Sequence, residues 1–282
     1  MANIIANKFG NVKERFVENV LGILNECYNR LDAHAVEIVD VYIFEKSSLM
    51  NTFMNKEKRK LGIETSAFEE SFLAIHDAWR GTPRIMVAYD KMCHTPKLVG
   101  KGVLHHEVAH TALHGSLEYY SFSPPIFLLE LERNSIISRQ VMRDLVYLAS
   151  IAVKDYEVTQ LLYEKGYVED QVAYSEYYLK PSEEELETWK IAEKNKIAAL
   201  LFLVSFLKTI CCAAPLLNDE RYGEEILKAI NASLKFLPAE LSARLLKILQ
   251  VTSKFGGNTH VNVDLFMKEI IDELAVKGIG KI

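Results

Sequence analysis

Cysteine is scarce in this chain: four occur in 282 residues, at positions 27, 93, 211 and 212, and none forms a C-x-x-C pair. That spacing argues against a thiolate zinc site and against a disulfide framework, and the adjacent Cys211 and Cys212 read as small apolar packing residues. Seven prolines and thirteen glycines leave little room for a long linker or a disordered tail. Excess positive charge is missing too, and a net charge of −5 offers no electrostatic footing for nucleic acid. No fixed-period repeat or low-complexity tract is present. The first eight residues lack the apolar segment and cleavage site of a secretory signal, so the expected compartment is a reducing cytoplasm. Long hydrophobic runs are nearly absent as well. The one exception, residues 197–217, carries Lys208 at its centre and Pro215 near its end. A central lysine is costly in lipid, so this run reads as a buried helix and no membrane partner is expected.

What is present is ordinary globular material: 49% apolar and 25% charged residues, enough for one large core or two modest ones. Within it, residues 103–115 stand out, because they contain H-E-x-x-H as His106, Glu107 and His110. Residues four apart lie one turn above each other on a helix, so two imidazoles at this spacing can grip one metal ion from one side. Glu107 follows His106 by about 100° around the axis and reaches past the metal. That is where a base stands to take a proton from a metal-activated water. Leu104, Val108 and Ala112 supply an apolar stripe for the same helix, and Gly115 offers a stop. The bland alternative is an amphipathic helix with solvent-facing histidines.

The motif resembles that of the zinc metallopeptidases called zincins. The resemblance implies Zn²⁺ as cofactor, His106 and His110 as ligands, Glu107 as the catalytic base and a peptide or protein as substrate. Two neighbouring histidines do not fit the same ion. His105 points about 100° away from His106, and His114 lies a further turn along from His110, too far from His106 for one ion to bridge all three. The metzincin subclass is excluded, since its pattern needs Gly and His where this chain has Leu113 and Ser116. The gluzincin and aspzincin groups remain, in which an acid on a later helix is the third ligand.

Residues 138–165 form the candidate for that later helix, an apolar-periodic run ending at Gly166. At 100° per residue, Val141, Leu148, Ile151, Ala152 and Leu162 cluster on one side, with Asp155 and Thr159 in the middle of the stripe. Glu157 falls nearly opposite. A carboxylate aimed into a core is expensive unless it is paired or binds metal, so periodicity favours Asp155. The stretch also resembles the E-Y-E-A-D ligand helix of membrane-embedded and integral zincins, with Asp155 standing for the first Glu and Thr159 replacing the Asp. Glu157 stays as the alternative, because Glu is the commoner third ligand.

Upstream, residues 11–31 read as a helix. Residues 36–44, 72–79 and 84–89 read as strands, the last two joined as a hairpin through Arg80-Gly81-Thr82-Pro83. The polar residues 55–60 read as a solvated surface. One of the two hairpin strands is expected to be an edge that an extended peptide pairs with, as in small zincins, and His76 on it reads as a packed or surface histidine. Residues 123–127 read as a loop. From Pro181 onward the pattern is helical, opening on a capping box at Ser182 and Glu185 and continuing through helices near 222–236, 238–252 and 263–275. The expected architecture is therefore α+β: a small mixed sheet packed on the H-E-x-x-H helix and a second ligand helix, followed by an all-helical region. Domains are expected at 1–180, zincin-like, and 181–282, helical.

The function this predicts is hydrolysis of peptide bonds by zinc-activated water, with Glu107 as general base. The alternative is a zincin-fold binding or regulatory protein with a structural or weakly active zinc site. For a further donor Tyr119, Tyr120, Tyr163 and His114 are candidates. Oligomeric state and cleavage preference leave no mark in the sequence.

Overall fold

The structure is a computed structural model and describes residues 2–31, 36–62 and 72–276. It is α+β, with one four-stranded mixed sheet among the described residues and a predominance of helix that is strongest in the carboxyl-terminal region. Contacts group the chain into two compact units, Met1–Ser121 with Leu161–Tyr174, and Phe122–Gln160 with Ser175–Ile282.

The first unit opens with β1 (Asn3–Phe9), α1 (Glu14–Leu31), β2 (Ile38–Phe44) and α2 (Ser47–Leu61). It continues through β3 (Ala74–Asp77), β4 (Arg84–Ala88), the short α3 (Tyr89–Met92) and α4 (Lys97–His114). The sheet order is β1-β2-β4-β3, parallel except for the antiparallel β3–β4 pair. In β2, Val39, Val41 and Ile43 are fully buried while Ile38 is exposed, the alternation of a strand with one core face. β4 is buried at every position, as a strand covered on both faces must be. Residues directly opposite each other across a pair share a face. His76 is therefore on the face of its partner Ile85, and Ile75 on that of Met86. The Met86 face meets α2, where Phe44, Met50, Met54 and Ala88 form a core with Phe9, Tyr42, Phe53 and Ile75.

Two elements here were not foreseen in the sequence, β1 and α2. β1 is mostly exposed, so it shows no alternation, and it exists because it pairs residue for residue with β2 from Asn3↔Ile38 to Phe9↔Phe44. The polar residues 55–60 are exposed or half-buried, as expected of a surface, but lie on helix α2, whose buried side chains are Met50 and Met54.

On the α2 face a fully buried Arg84 donates through Nε to Asp77 Oδ2 at 2.9 Å. Its Nη1 lies 3.5 Å from Glu57 on α2, and its guanidinium sits 5.5–6.0 Å from the rings of Tyr42, Phe53 and Trp79. Removing one member leaves the other charged and enclosed, which costs about 3–5 kcal/mol. Arg84→Ala or Asp77→Ala should lower the urea midpoint accordingly, and Arg84→Met with Asp77→Leu should recover most of the loss. Single variants with unchanged midpoints would show that the pair contributes nothing.

α4 is buried nearly all round from Val99 to Thr111, and its four histidines are all buried. It is a core helix and not the amphipathic one with wet histidines. Tyr28 of α1 meets Thr111 through their hydroxyls at 2.5 Å. A Cβ on Gly102 would stand 2.4 Å from the Asp170 carbonyl oxygen, so the close approach of Asp170 and Gln171 requires glycine there. Gln171 donates to the Gly102 carbonyl at 3.1 Å. Gly115 does end α4, at an ordinary φ of −78°.

The second unit begins with α5 (Ile126–Arg133), which takes up part of the 123–127 stretch expected as a loop. The long α6 (Arg139–Glu164) and then α7 (Glu169–Tyr178) each contribute residues to both units. Gly166, at φ +80°, closes α6 with backbone hydrogen bonds from Gly166 to Tyr163 and from Tyr167 to Leu162, the left-handed helix stop that glycine adopts without strain. The remaining helices are α8 (Glu183–Ala192), α9 (Lys196–Ala213), α10 (Gly223–Ser233), α11 (Ala239–Leu249) and α12 (Thr259–Ile270).

The capping box forms as expected, Glu185 N–H donating to Ser182 Oγ and Ser182 N–H to Glu185 Oε2. One helical stretch among the described residues, Lys196–Asn218, is long and apolar enough to cross a membrane by length and composition, and 67% of its apolar window is buried inside the molecule. Its Phe202 and Phe206 pack ring against ring with Trp189 and Phe236.

Candidate metal centre

Helix pitch alone brings His106 and His110 together, and their Nε2 atoms stand 3.0 Å apart. Two nitrogens bound tetrahedrally to one zinc ion are about 3.3 Å apart, given bonds of about 2.0–2.1 Å. Asp155 of α6 completes the group: one ligand atom from each of His106, His110 and Asp155 lies within 4.8 Å of the others. Two imidazoles and one carboxylate suit several divalent first-row ions, zinc among them. Among the described residues this is the one His, Cys, Asp and Glu group so disposed.

The surroundings hold these rings in place. His106 stacks on Tyr174 at 4.8 Å. The Nδ1 of His110 lies 3.3 Å from that of His114, whose ring packs edge-on against Tyr119. When a metal-binding imidazole uses one nitrogen, a partner at the other sets its tautomer, and His114 stands where such a partner belongs. His105 turns the other way, its Nδ1 hydrogen-bonded to Asp170 and its ring against Tyr167 at 4.2 Å.

Glu107 is buried beside the group, and its Oε2 lies 3.0 Å from Nδ1 of His76 on β3. The His76 ring also stacks almost flat on His110, at 4.0 Å and 12°. Sequence reasoning read His76 as a packed or surface residue. The only available signal was its place on the strand before the motif. Tyr174 left no signal at all.

Of the donor candidates, Tyr120 has Glu107 among the groups that act on its phenol. Burial, then the Asp77 and Glu107 carboxylates, push its phenol well above the ordinary tyrosine range, against a hydrogen bond with the Ala78 backbone. It therefore keeps its proton at neutral pH. Tyr163 lies on the last turn of α6.

Glu157 is differently engaged. Its Oε2 accepts from Thr259 Oγ1 at 2.8 Å and its Oε1 from Asn262 Nδ2 at 2.6 Å. Thr159, in the position where the resembled motif has Asp, is buried with its hydroxyl 3.3 Å from Cys212 Sγ. Lys154, beside Asp155, is fully enclosed, and burial lowers its ammonium to about 8 against the opposing pull of Asp155 and Glu157. No protein-family model, curated protein or solved structure matches this chain.

Proposed function

We propose that this chain is a zinc-dependent peptidase in which His106, His110 and Asp155 hold the ion and Glu107 is the general base. The observation that carries this reading is the grouping of two imidazole nitrogens and a carboxylate oxygen within 4.8 Å, with an acid one residue along the same helix. A zinc ion held there would supply a water of lowered pKa and a Lewis acid for a scissile carbonyl.

The side chains divide the remaining work. His106 and His110 present Nε2 atoms from successive turns, and Asp155 adds the negative charge that offsets a divalent cation. Glu107 accepts a proton on its carboxylate and returns it to the departing amine, a role for which burial beside a hydrogen-bond donor suits it. Tyr120, kept protonated, has a hydroxyl proton to donate. Of the two hairpin strands, β3 ends the sheet among the described residues while β4 is flanked on both sides, so β3 is the one proposed to pair with an extended substrate segment. A peptide or protein is the substrate class, the zinc is catalytic, and the cytoplasm is the proposed compartment.

A second reading takes the burial of His106, Glu107 and His110 as the mark of a structural zinc site in a binding or regulatory protein. One experiment separates the two. The chain is purified without added metal, its metals are measured by elemental analysis, and it is incubated with a peptide mixture read by mass spectrometry. About one zinc per chain with new peptide termini supports the peptidase. One zinc without cleavage favours the second reading, and no metal defeats both.

A further inference from the structure

We propose that His76, on the edge strand β3, is the residue that positions Glu107. This rests on the reading of Glu107 as the base and adds to it a residue outside the motif. One imidazole makes both contacts that matter: Nδ1 lies 3.0 Å from Glu107 Oε2, and the ring centroid lies 4.0 Å from that of His110 with the planes at 12°. The first holds the carboxylate. The second holds the ring that holds it, because a flat stack on a buried helix residue leaves the imidazole little rotation.

A glutamate has three rotatable side-chain bonds, and proton transfer needs its oxygen within hydrogen-bond reach of the reacting atom. Fastening Oε2 from the sheet fixes the direction in which the carboxylate faces. An ionised carboxylate is acceptor only, so Nδ1 of His76 carries the proton and donates. That assigns His76 the Nδ1–H tautomer.

Two other roles fit less well. As a fourth metal ligand, His76 would belong to the convergent group, yet the donors that converge are those of His106, His110 and Asp155. As a packing residue on the sheet, it would need no polar partner, yet it faces the only acid of the motif. Its register opposite Ile85 puts it on the sheet face opposite the Met86 and α2 core, and a one-residue slip of β3 would turn it away.

The test separates ring from proton. His76→Phe keeps a ring to stack on His110 and loses the N–H, whereas His76→Asn loses the ring and keeps an amide N–H near the position of Nδ1. Imidazole ¹⁵N NMR of the purified chain should show His76 protonated at Nδ1, and Glu107→Ala should shift that tautomer. With a peptide substrate, His76→Phe should lose about 10- to 100-fold in kcat, as outer partners of metal sites do, with KM and zinc content unchanged. His76→Asn should restore most of the loss. A His76 protonated at Nε2, or indifferent to Glu107→Ala, overturns the proposal, and so does His76→Phe with full kcat. Absence of zinc and of turnover in the parent chain would defeat the peptidase reading instead, while the tautomer measurement still decides the His76–Glu107 contact.

Discussion

Glu107→Gln is expected to keep its zinc and lose peptide hydrolysis by about 10²- to 10⁴-fold, the usual contribution of a positioned base. The substitution replaces one carboxylate oxygen by an amide, nearly unchanged in size, and leaves His106 and His110 untouched on their own turns of α4. Zinc content by elemental analysis should therefore stay at the parent value, while kcat falls. Thermal unfolding should barely move, because the amide can still accept a hydrogen bond from His76 Nδ1. Two outcomes would sink the mechanism: full activity in the variant, or loss of zinc along with activity. The first would mean that no base is needed at that position. The second would mean that Glu107 belongs to the metal's own ligand set.

The second large effect distinguishes the two acids of α6. Asp155→Ala removes a donor from the convergent group, and zinc affinity should fall by more than the roughly 10- to 100-fold typical of an outer partner. Glu157→Ala acts elsewhere. It removes the acceptor of the Thr259 hydroxyl and one of the two acceptors of the buried Asn262 amide, which also donates to the Gly256 carbonyl. Losing those acceptors should cost about 1–3 kcal/mol of stability and leave zinc stoichiometry intact. Denaturation midpoint and metal titration, measured on both variants, read the two effects apart. If Glu157→Ala loses zinc and Asp155→Ala retains it, the ligand assignment is reversed.

The two acids also show why the sequence was only partly legible here. Periodicity placed Asp155 in an apolar stripe and Glu157 opposite, as though one side of α6 met water. The helix has buried residues on several sides, from Leu145 and Val146 to Val153 and Val158, and Glu157 is half-buried against α12 residues more than a hundred positions later in the chain. A helical wheel sorts inside from outside only when the helix has an outside. β1 was missed for the complementary reason. Its pairing with β2 involves backbone groups, and an exposed edge strand carries no side-chain pattern to betray them. By contrast, the Ser182 capping box, the Gly166 stop and the hairpin at Arg80–Pro83 all rest on neighbours within a few residues, and each was readable.

The sequence by itself determined that two imidazoles and a carboxylate share consecutive turns of one helix, because helical pitch is a local property of the backbone. It likewise determined the α+β character, since strand-forming and helix-forming residues occupy separate stretches. Only the tertiary structure decided that His76 meets Glu107 and that residues 122–160 group with the helical third. Those contacts join residues 31 to more than a hundred positions apart. They follow from how whole elements pack, which no short window of sequence encodes.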